Sequence, residues 1–416
     1  MEPLPSFLRN NAAWLLAGFL LTFASSFGQT FFIAVFAGEI RNAYGLSHGG
    51  WGAIYAFATA SSAAVMVWAG SLTDRYRIRH IGVTILAGLA LAAAAMSFIG
   101  GVWALAVVIF MLRLFGQGMM GHCAMVAMAR WFVARRGRAV SIAGLGVAMG
   151  EALLPIGFVA LMGVMDWRLL WLAAAAGLSL MIPVLWVLLQ RERTPRFHDQ
   201  SGGALGMAGR MWTRAEVLRH PVFWLMLPAL LGPAAWNTAF FFQQVPLAEA
   251  KGWTHVSLVS LFPLFTVTSV VFMLVAGGIV DRIGSRRLAG FYLLPLMLGY
   301  CVFALAPGIG WGAAGIVLLG IGSGLHVMMM GTFWAEAYGT RHLGAIRAMS
   351  GAFMVLGTAI GPALTGLLID LGFDFPLQSF GIAAYFACAA LLAGLAGRKV
   401  DVVMSAQDSR LTVPRA

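Results

Sequence analysis

The sequence predicts an all-α integral membrane protein of twelve transmembrane helices, arranged as two repeat-related six-helix bundles. Three observations carry this. The 416 residues are 61% hydrophobic and only 10% charged, where a soluble domain carries about 25% charge, so the solvent must be lipid. The chain divides into twelve apolar runs, each near the ~20 residues that a helix needs to cross a hydrocarbon core. A short Arg-rich bridge, GSLTDRYRIR at Gly70–Arg79, returns as GGIVDRIGSRR at Gly277–Arg287, half a chain later.

The first six runs are 12–37, 49–73, 81–99, 102–129, 139–165 and 169–189. Arg9 precedes the first run, which exceeds the apolar stretch of about 7–15 residues of a cleaved signal and is therefore read as a membrane helix. The longest polar interval follows the sixth run. It separates a bundle over 1–190 from one over 221–397, with a linker at 191–220 and a polar, unstructured tail at 398–416. Within the linker, Thr213 and Glu216 have capping-box spacing and open a short helix. The second six runs are 221–245, 256–280, 288–306, 311–335, 348–369 and 376–396.

There are 27 basic and 15 acidic residues, a net charge of +12. In a soluble protein that would point to nucleic acid. Here the arginines sit in gaps between apolar runs, so topology explains them and nucleic acid is not a partner. With the gaps numbered in order, the odd ones hold only Arg41, Arg168 and Lys251, and nearly all other basic residues fall at the N-terminus, in the even gaps and in the tail. That asymmetry places both termini and the linker in the cytoplasm of a multi-pass inner (plasma) membrane protein. Cys123, Cys301 and Cys388 are isolated within apolar runs, with no metal-ligand spacing. No P-loop, HExxH or Ser/His/Asp cluster appears, so neither ATP drive, a cofactor, a metal nor an enzyme is expected.

The repeat is direct. Residues 45–77 align without gaps on 252–284, and Ser47 and Thr254 fall at matching helix N-caps. Gln29-Thr30 corresponds to Asn237-Thr238, and Gly116-Gln117-Gly118 to Gly322-Ser323-Gly324. Direct repeats fit two six-helix halves related by an axis along the membrane normal.

Two charges lie deep in apolar runs. Arg113 is about 17 Å into the fourth run and Glu151 about 18 Å into the fifth, both near the middle of a ~30 Å core. A charge there costs about 2.5–3.5 kcal/mol even on the lenient insertion scale. Two readings stand: an Arg113–Glu151 ion pair that locks consecutive helices, or Arg113 on substrate with Glu151 balancing it or carrying a proton. His326 aligns with Met120, seven residues and about 700° from Arg113, so it is expected on the same face, either carrying a coupling proton or bonded to a backbone carbonyl. His122, about 900° from Arg113, is expected to pack on the opposite side. Gln29, Thr30, Asn237 and Thr238 either orient a ligand or join helices. Gly146-xxx-Gly150 and Gly357-xxx-Gly361 permit close helix approach and are expected to give matching contacts between the halves.

The two bridges resemble the loop motifs between helices two and three, and eight and nine, of the major facilitator superfamily. The resemblance covers nearly the whole chain. ARWFVARRGRAVSIAGLGVAMG at 129–150, with Asp166-Trp167-Arg168, and GTRHLGAIRAMSGAFMVLGTAIGPALTG at 339–366 resemble the branch of monocarboxylate transporters and oxalate–formate exchangers. The match departs at helix eight, where that branch often carries a basic residue and residues 256–280 hold no charge. Arg113-Leu114-Phe115-Gly116-Gln117-Gly118 matches the superfamily's fourth-helix pattern, whose Arg is implicated in substrate or proton coupling. Glu151 stands where the fifth-helix motif would have Pro after Gly150.

The resemblance implies the major facilitator fold and a monomeric secondary transporter of a small organic solute. The solute is a monocarboxylate or related anion, moved by alternating access with protons as a coupling ion. A proton-driven drug or metabolite exporter and, in another class, a membrane sensor on a transporter scaffold are the competing readings. It also implies that helices one, four, seven and ten line the cavity. Gly70, Asp74, Arg75, Gly277, Asp281, Arg282 and Arg286 form the gate motif. Its aspartates are expected against helix N-termini across the seam, with Arg135, Arg136, Arg138 and Arg347 as pairing candidates.

Overall fold

The computed structural model describes residues 4–70, 72–132, 136–190 and 205–411, and these are helical with no strand among them. They divide into two compact units, Met1–His198 and Asp199–Ala416. Among the described residues, ten helices are long and apolar enough to cross a membrane. The 22-residue helix His48–Ala69 lies at the second expected crossing, and the 12-residue helix Leu294–Leu305 within the ninth. The ninth run is interrupted because Pro295, at the start of that helix, has no N–H to continue the preceding turns.

Local signals fall where the repeat places them. Ser47 accepts from the Gly50 N–H and Thr254 from the Ser257 N–H, capping the second and eighth crossings. Each cap follows a glycine in the left-handed region, Gly45 at φ +60° and Gly252 at φ +66°. Such a φ costs glycine nothing and stops the preceding helix. The capping box also forms, with Thr213 Oγ1 accepting from Glu216 N–H and Glu216 accepting from Thr213 N–H.

Lipid is as apolar as leucine, so helices in a membrane associate through close packing rather than expulsion of water. The glycine pairs supply this within each unit. A Cβ at Gly146 would lie 2.2 Å from the Phe19 carbonyl, and one at Gly150 2.0 Å from Ser26 Oγ. In the second unit, a Cβ at Gly361 would lie 2.1 Å from the Ala235 carbonyl. These glycines therefore seat helix five on helix one and helix eleven on helix seven. That corrects the expectation that they mark contacts between the halves: their missing side chains face partners in their own bundle.

Three other expectations change. The first apolar run is not one helix. Leu4–Ser25 gives way to 3-10 turns at Ser26–Gly28 and Ala34–Phe36, and Gln29 between them is extended at φ −84°, ψ 156°. Ser25, Ser26 and Gly28 are weak helix formers. The break is held by an aromatic cluster, with Phe32 rings 4.9 Å from Phe158 and 5.3 Å from Trp171. The fourth run turns π-helical over Arg113–Met120. The last helix continues through Phe375–Leu411 rather than ending before an unstructured tail. Its extension is anchored: Val400 is fully buried, and a Cβ at Gly397 would lie 2.0 Å from the Arg286 carbonyl. Asp401 approaches Arg286 Nε at 2.8 Å and Arg287 Nε at 3.6 Å.

Candidate functional site

The two helix distortions of the first unit meet. Gly28 lies in the break of helix one and Gly116 in the π-helical stretch of helix four. A Cβ on Gly28 would stand 2.1 Å from the Leu112 carbonyl, and one on Gly116 2.6 Å from Gly28 Cα. Backbone therefore touches backbone, which only a pair of glycines permits. The break leaves the Gly28 carbonyl without a continuing helix to bond to, and the wider π turn carries Arg113 toward it. π segments recur at functional sites for this reason: they re-aim a side chain without ending the helix.

Arg113 is 1% exposed. Its Nη1 donates to the Gly28 carbonyl at 3.2 Å and to Thr30 Oγ1 at 3.3 Å. Thr30 Oγ1 is 2.6 Å from the Tyr55 hydroxyl, and the guanidinium carbon sits 5.1 Å from the Tyr55 ring centre. Among the described residues, the other two nitrogens, Nε and Nη2, are buried without a hydrogen-bond partner. These two form one edge of the guanidinium plane, the edge that matches both oxygens of a carboxylate. Among the described residues no acid lies within ion-pair distance of Arg113. The site is thus a buried cation held by neutral acceptors and one ring, with its bidentate edge unsatisfied among the described residues.

The reading of an Arg113–Glu151 ion pair is not what the structure holds. Glu151 is half-buried, and it follows Gly150, whose missing side chain faces Ser26 at the start of the same break. Gln29 is the extended residue of that break and is half-buried.

In the second unit the corresponding positions are built differently. Asn237 Nδ2 donates to Ser323 Oγ at 2.9 Å, while its Oδ1 is buried without a partner. Thr238 beside it is half-buried. Helix ten is regular over Ile309–Tyr338, and the repeat equivalent of Arg113 is Leu319, buried. His326 is 5% exposed and stacks on the Tyr292 ring at 6.0 Å. Neither of its ring nitrogens has a partner, so the expected bond to a backbone carbonyl is absent. The face shared by Arg113 and Met120 assumed 3.6 residues per turn, which the π segment does not keep, so that route to His326 fails. Gln243 and Gln244 join elements instead, to Thr365 at 3.0 Å and His255 at 3.0 Å.

At the gate motif, the side chains of Asp74, Arg75, Asp281, Arg135 and Arg136 lie outside the described residues. Gly70 and Thr73 rest against His122, with Thr73 Oγ1 3.4 Å from its Nε2. Arg138 and Arg282 are exposed, Gly277 packs against Met328, and Arg347 bonds the Gly331 carbonyl of its own unit. The second copy is tied down by two acids that the sequence reading did not single out. Glu336 accepts from Ser285 N–H at 3.2 Å and from its hydroxyl at 2.8 Å, and Asp401 takes Arg286. Glu336 directly follows the tenth apolar run and is the sole carboxylate of the helix Ile309–Tyr338, which was the available signal. Tyr55 and Gly28 carried none.

Comparison with known proteins agrees with this architecture. A 126-residue stretch is 29% identical to a probable plastidic glucose transporter of Arabidopsis thaliana, covering 30% of this chain and 23% of that protein. A 94-residue stretch is 36% identical to a multidrug resistance protein B homolog of Mycobacterium tuberculosis, covering 23% and 17%. The matches thus span about a fifth of the length of these relatives. Among solved structures, a bacterial homolog of the human lysosomal transporter Spinster aligns over 94% of this chain and 97% of its own, at TM-score 0.73 and 16% identity. The nucleoside transporter NupG aligns over 93% and 99%, at TM-score 0.66 and 12% identity. A family model matches residues 18–362 and again 264–406, and the chain belongs to the Major Facilitator Superfamily.

Proposed function

We propose that this multi-pass membrane transporter is a secondary active carrier of a small organic anion, a monocarboxylate or related acid, working by alternating access with proton coupling. The single observation that carries the reading is the open Nε/Nη2 edge of buried Arg113. A buried cation without a counter-charge is costly. An incoming carboxylate supplies that charge and two charge-assisted hydrogen bonds at once. Arg113 then takes the place of the basic residue that the monocarboxylate-like branch often carries in helix eight. Thr30 and Tyr55 orient the guanidinium, and Gln29, the residue before Thr30, is the candidate contact for the rest of the solute.

Glu151 is the proton carrier in this reading. It follows Gly150, which packs on Ser26 at the start of the break of helix one, so its protonation is placed one residue from the stretch that carries Gly28 and Thr30. His326 is the second candidate for a proton, because its buried ring nitrogens are both open. Asn237 and Thr238 are proposed as ligand contacts from the second bundle. We place both termini on the cytoplasmic side of the inner membrane, with the motifs at 70–79 and 277–287 as gate elements.

The test is counterflow in proteoliposomes with a panel of labelled organic acids, neutral sugars and nucleosides, and lipophilic cations, at two pH values. Acids alone exchanging, and faster at low pH, is the expected result. Exchange confined to sugars, nucleosides or cations would overturn the anion reading. The match to a multidrug resistance protein homolog favours the second reading, a proton-driven exporter, which the cation arm of the panel detects. A ligand that binds without any flux would indicate a sensor.

A further inference from the structure

The second unit holds a groove of about 600 Å³ remote in sequence from the Arg113 cradle. One wall is the stretch before helix seven, with Met207, Trp212 and Pro221. The other is the last helix, with Leu395, Val402 and, on the rim, Arg398 and Lys399. The stretch is fixed in place: Trp212 N–H donates to the Tyr338 carbonyl at 3.1 Å, and its indole N–H to the Met207 carbonyl at 3.1 Å. Arg210 stacks on the indole at 4.4 Å and pairs with Glu216. The walls are apolar, and the groove has the size of a built ligand site, about 300–1,000 Å³.

Charge and depth identify the occupant. Arg398 and Lys399 are both exposed, and among the described residues neither makes a hydrogen bond or ion pair, although Asp401 nearby takes Arg286 and Arg287. Arg398 is about 34 Å along the helix from Phe375 at 1.5 Å per residue. That passes the ~30 Å hydrocarbon core and sets both cations at headgroup depth, while Leu395 faces the acyl region. Trp212 at the same level matches the aromatic belt at a membrane boundary. We propose that this groove is a binding site for an anionic phospholipid, with its phosphate on Arg398 and Lys399, its glycerol backbone against Trp212 and Val402, and an acyl chain along Leu395. The lipid bridges the segment before helix seven to the last helix. A soluble phosphate does not satisfy the site, because the apolar walls would stay unfilled.

The test uses the purified full chain in neutral detergent, titrated with phosphatidylglycerol or phosphatidylcholine carrying brominated acyl chains, with tryptophan fluorescence as the readout. Quenching lost in Trp212→Phe is the signal from the groove. The expected result is Trp212-dependent quenching at about 30-fold lower concentration of phosphatidylglycerol than of phosphatidylcholine, the scale of two interfacial cations. The Arg398→Gln/Lys399→Gln variant should lose that preference, and 1 M salt should remove it from the wild-type protein, which keeps the test valid if the variant does not fold. Val403→Trp, which fills the groove and keeps both charges, should abolish binding of either lipid, and millimolar glycerol phosphate should not compete. Equal quenching by the two lipids, a preference that survives charge removal or salt, or full competition by glycerol phosphate would overturn the proposal.

Discussion

Replacing Gly28 by alanine tests how the Arg113 cradle is built. The added Cβ would stand 2.1 Å from the Leu112 carbonyl and 2.7 Å from Gly116 Cα. Both obstacles are backbone, so no side chain can rotate away. Ordinary contact requires helices one and four to part by about 1.3 Å, and a packed interior resists such a shift at a cost of about 1–3 kcal/mol. The movement carries the Gly28 carbonyl away from Arg113 Nη1, now at 3.2 Å, and a hydrogen bond to a charged donor contributes about 1.5–3 kcal/mol. Together these give a destabilisation of about 2.5–6 kcal/mol. For a bundle of this size that lowers the unfolding midpoint on the order of 10 °C. The control is Gly121→Ala, one residue past the π segment, where an added Cβ meets nothing within 4 Å. It should be neutral, or stabilising by about 0.5–1 kcal/mol through helix propensity. Thermal unfolding in detergent, followed by cysteine reactivity or light scattering, reads both. If Gly28→Ala melts at or above Gly121→Ala, the backbone contact is not what holds the site.

Other outcomes follow from the same structure. Glu151→Gln should retain anion counterflow and lose uphill uptake driven by a pH gradient, since exchange needs no net proton movement; proteoliposome flux with and without the gradient separates the two. Gly361→Leu forces a side chain onto the Ala235 carbonyl, where even a Cβ would lie at 2.1 Å. It should destabilise the second bundle by about 1–3 kcal/mol or more, whereas Gly381→Leu, with nothing within 4 Å of its Cβ position, should not, as differential melting will show. His220 lies outside the spans, and burial beside Trp212, with Lys399 nearby, lowers its pKa from 6.5. The unfolded chain therefore binds the proton more readily, so the melting temperature should fall as pH drops below about 6.5 and level off above it. His220→Gln should remove that part of the slope in a melting series across pH 5–8.

The crossings and their caps were legible because each rests on a local rule. Length and apolarity mark a span, and Ser47, Thr254 and Thr213 mark where helices start. Arg113 was legible because its charge is expensive in lipid wherever it points. Its surroundings were not. The break at Gln29 and the π turn at Arg113–Met120 are tertiary features, stabilised by the Gly28–Gly116 contact and the Phe32–Phe158–Trp171 cluster rather than by local propensity. A straight helix at 3.6 residues per turn therefore gave the wrong phase toward Met120 and His326. Tyr55 looked like one more aromatic residue in an apolar run. The glycine pairs were recognised as packing surfaces, but spacing alone cannot say which neighbour they face. The tail read as unstructured because its composition is polar, while the anchoring of Gly397, Val400 and Asp401 on the 285–290 segment is a long-range effect.

The central claim is that the open edge of Arg113 holds the anion. Equilibrium binding of the acid found in counterflow, measured by calorimetry on the wild-type protein, Arg113→Gln and Arg113→Lys, addresses it most directly. Losing a buried bidentate charge pair costs about 2–5 kcal/mol, so Arg113→Gln should bind about 30-fold more weakly or worse, at about 1.4 kcal/mol per tenfold. Arg113→Lys should fall between, keeping charge without the fork. An unchanged Kd in Arg113→Gln, with the variant folded, would contradict the account.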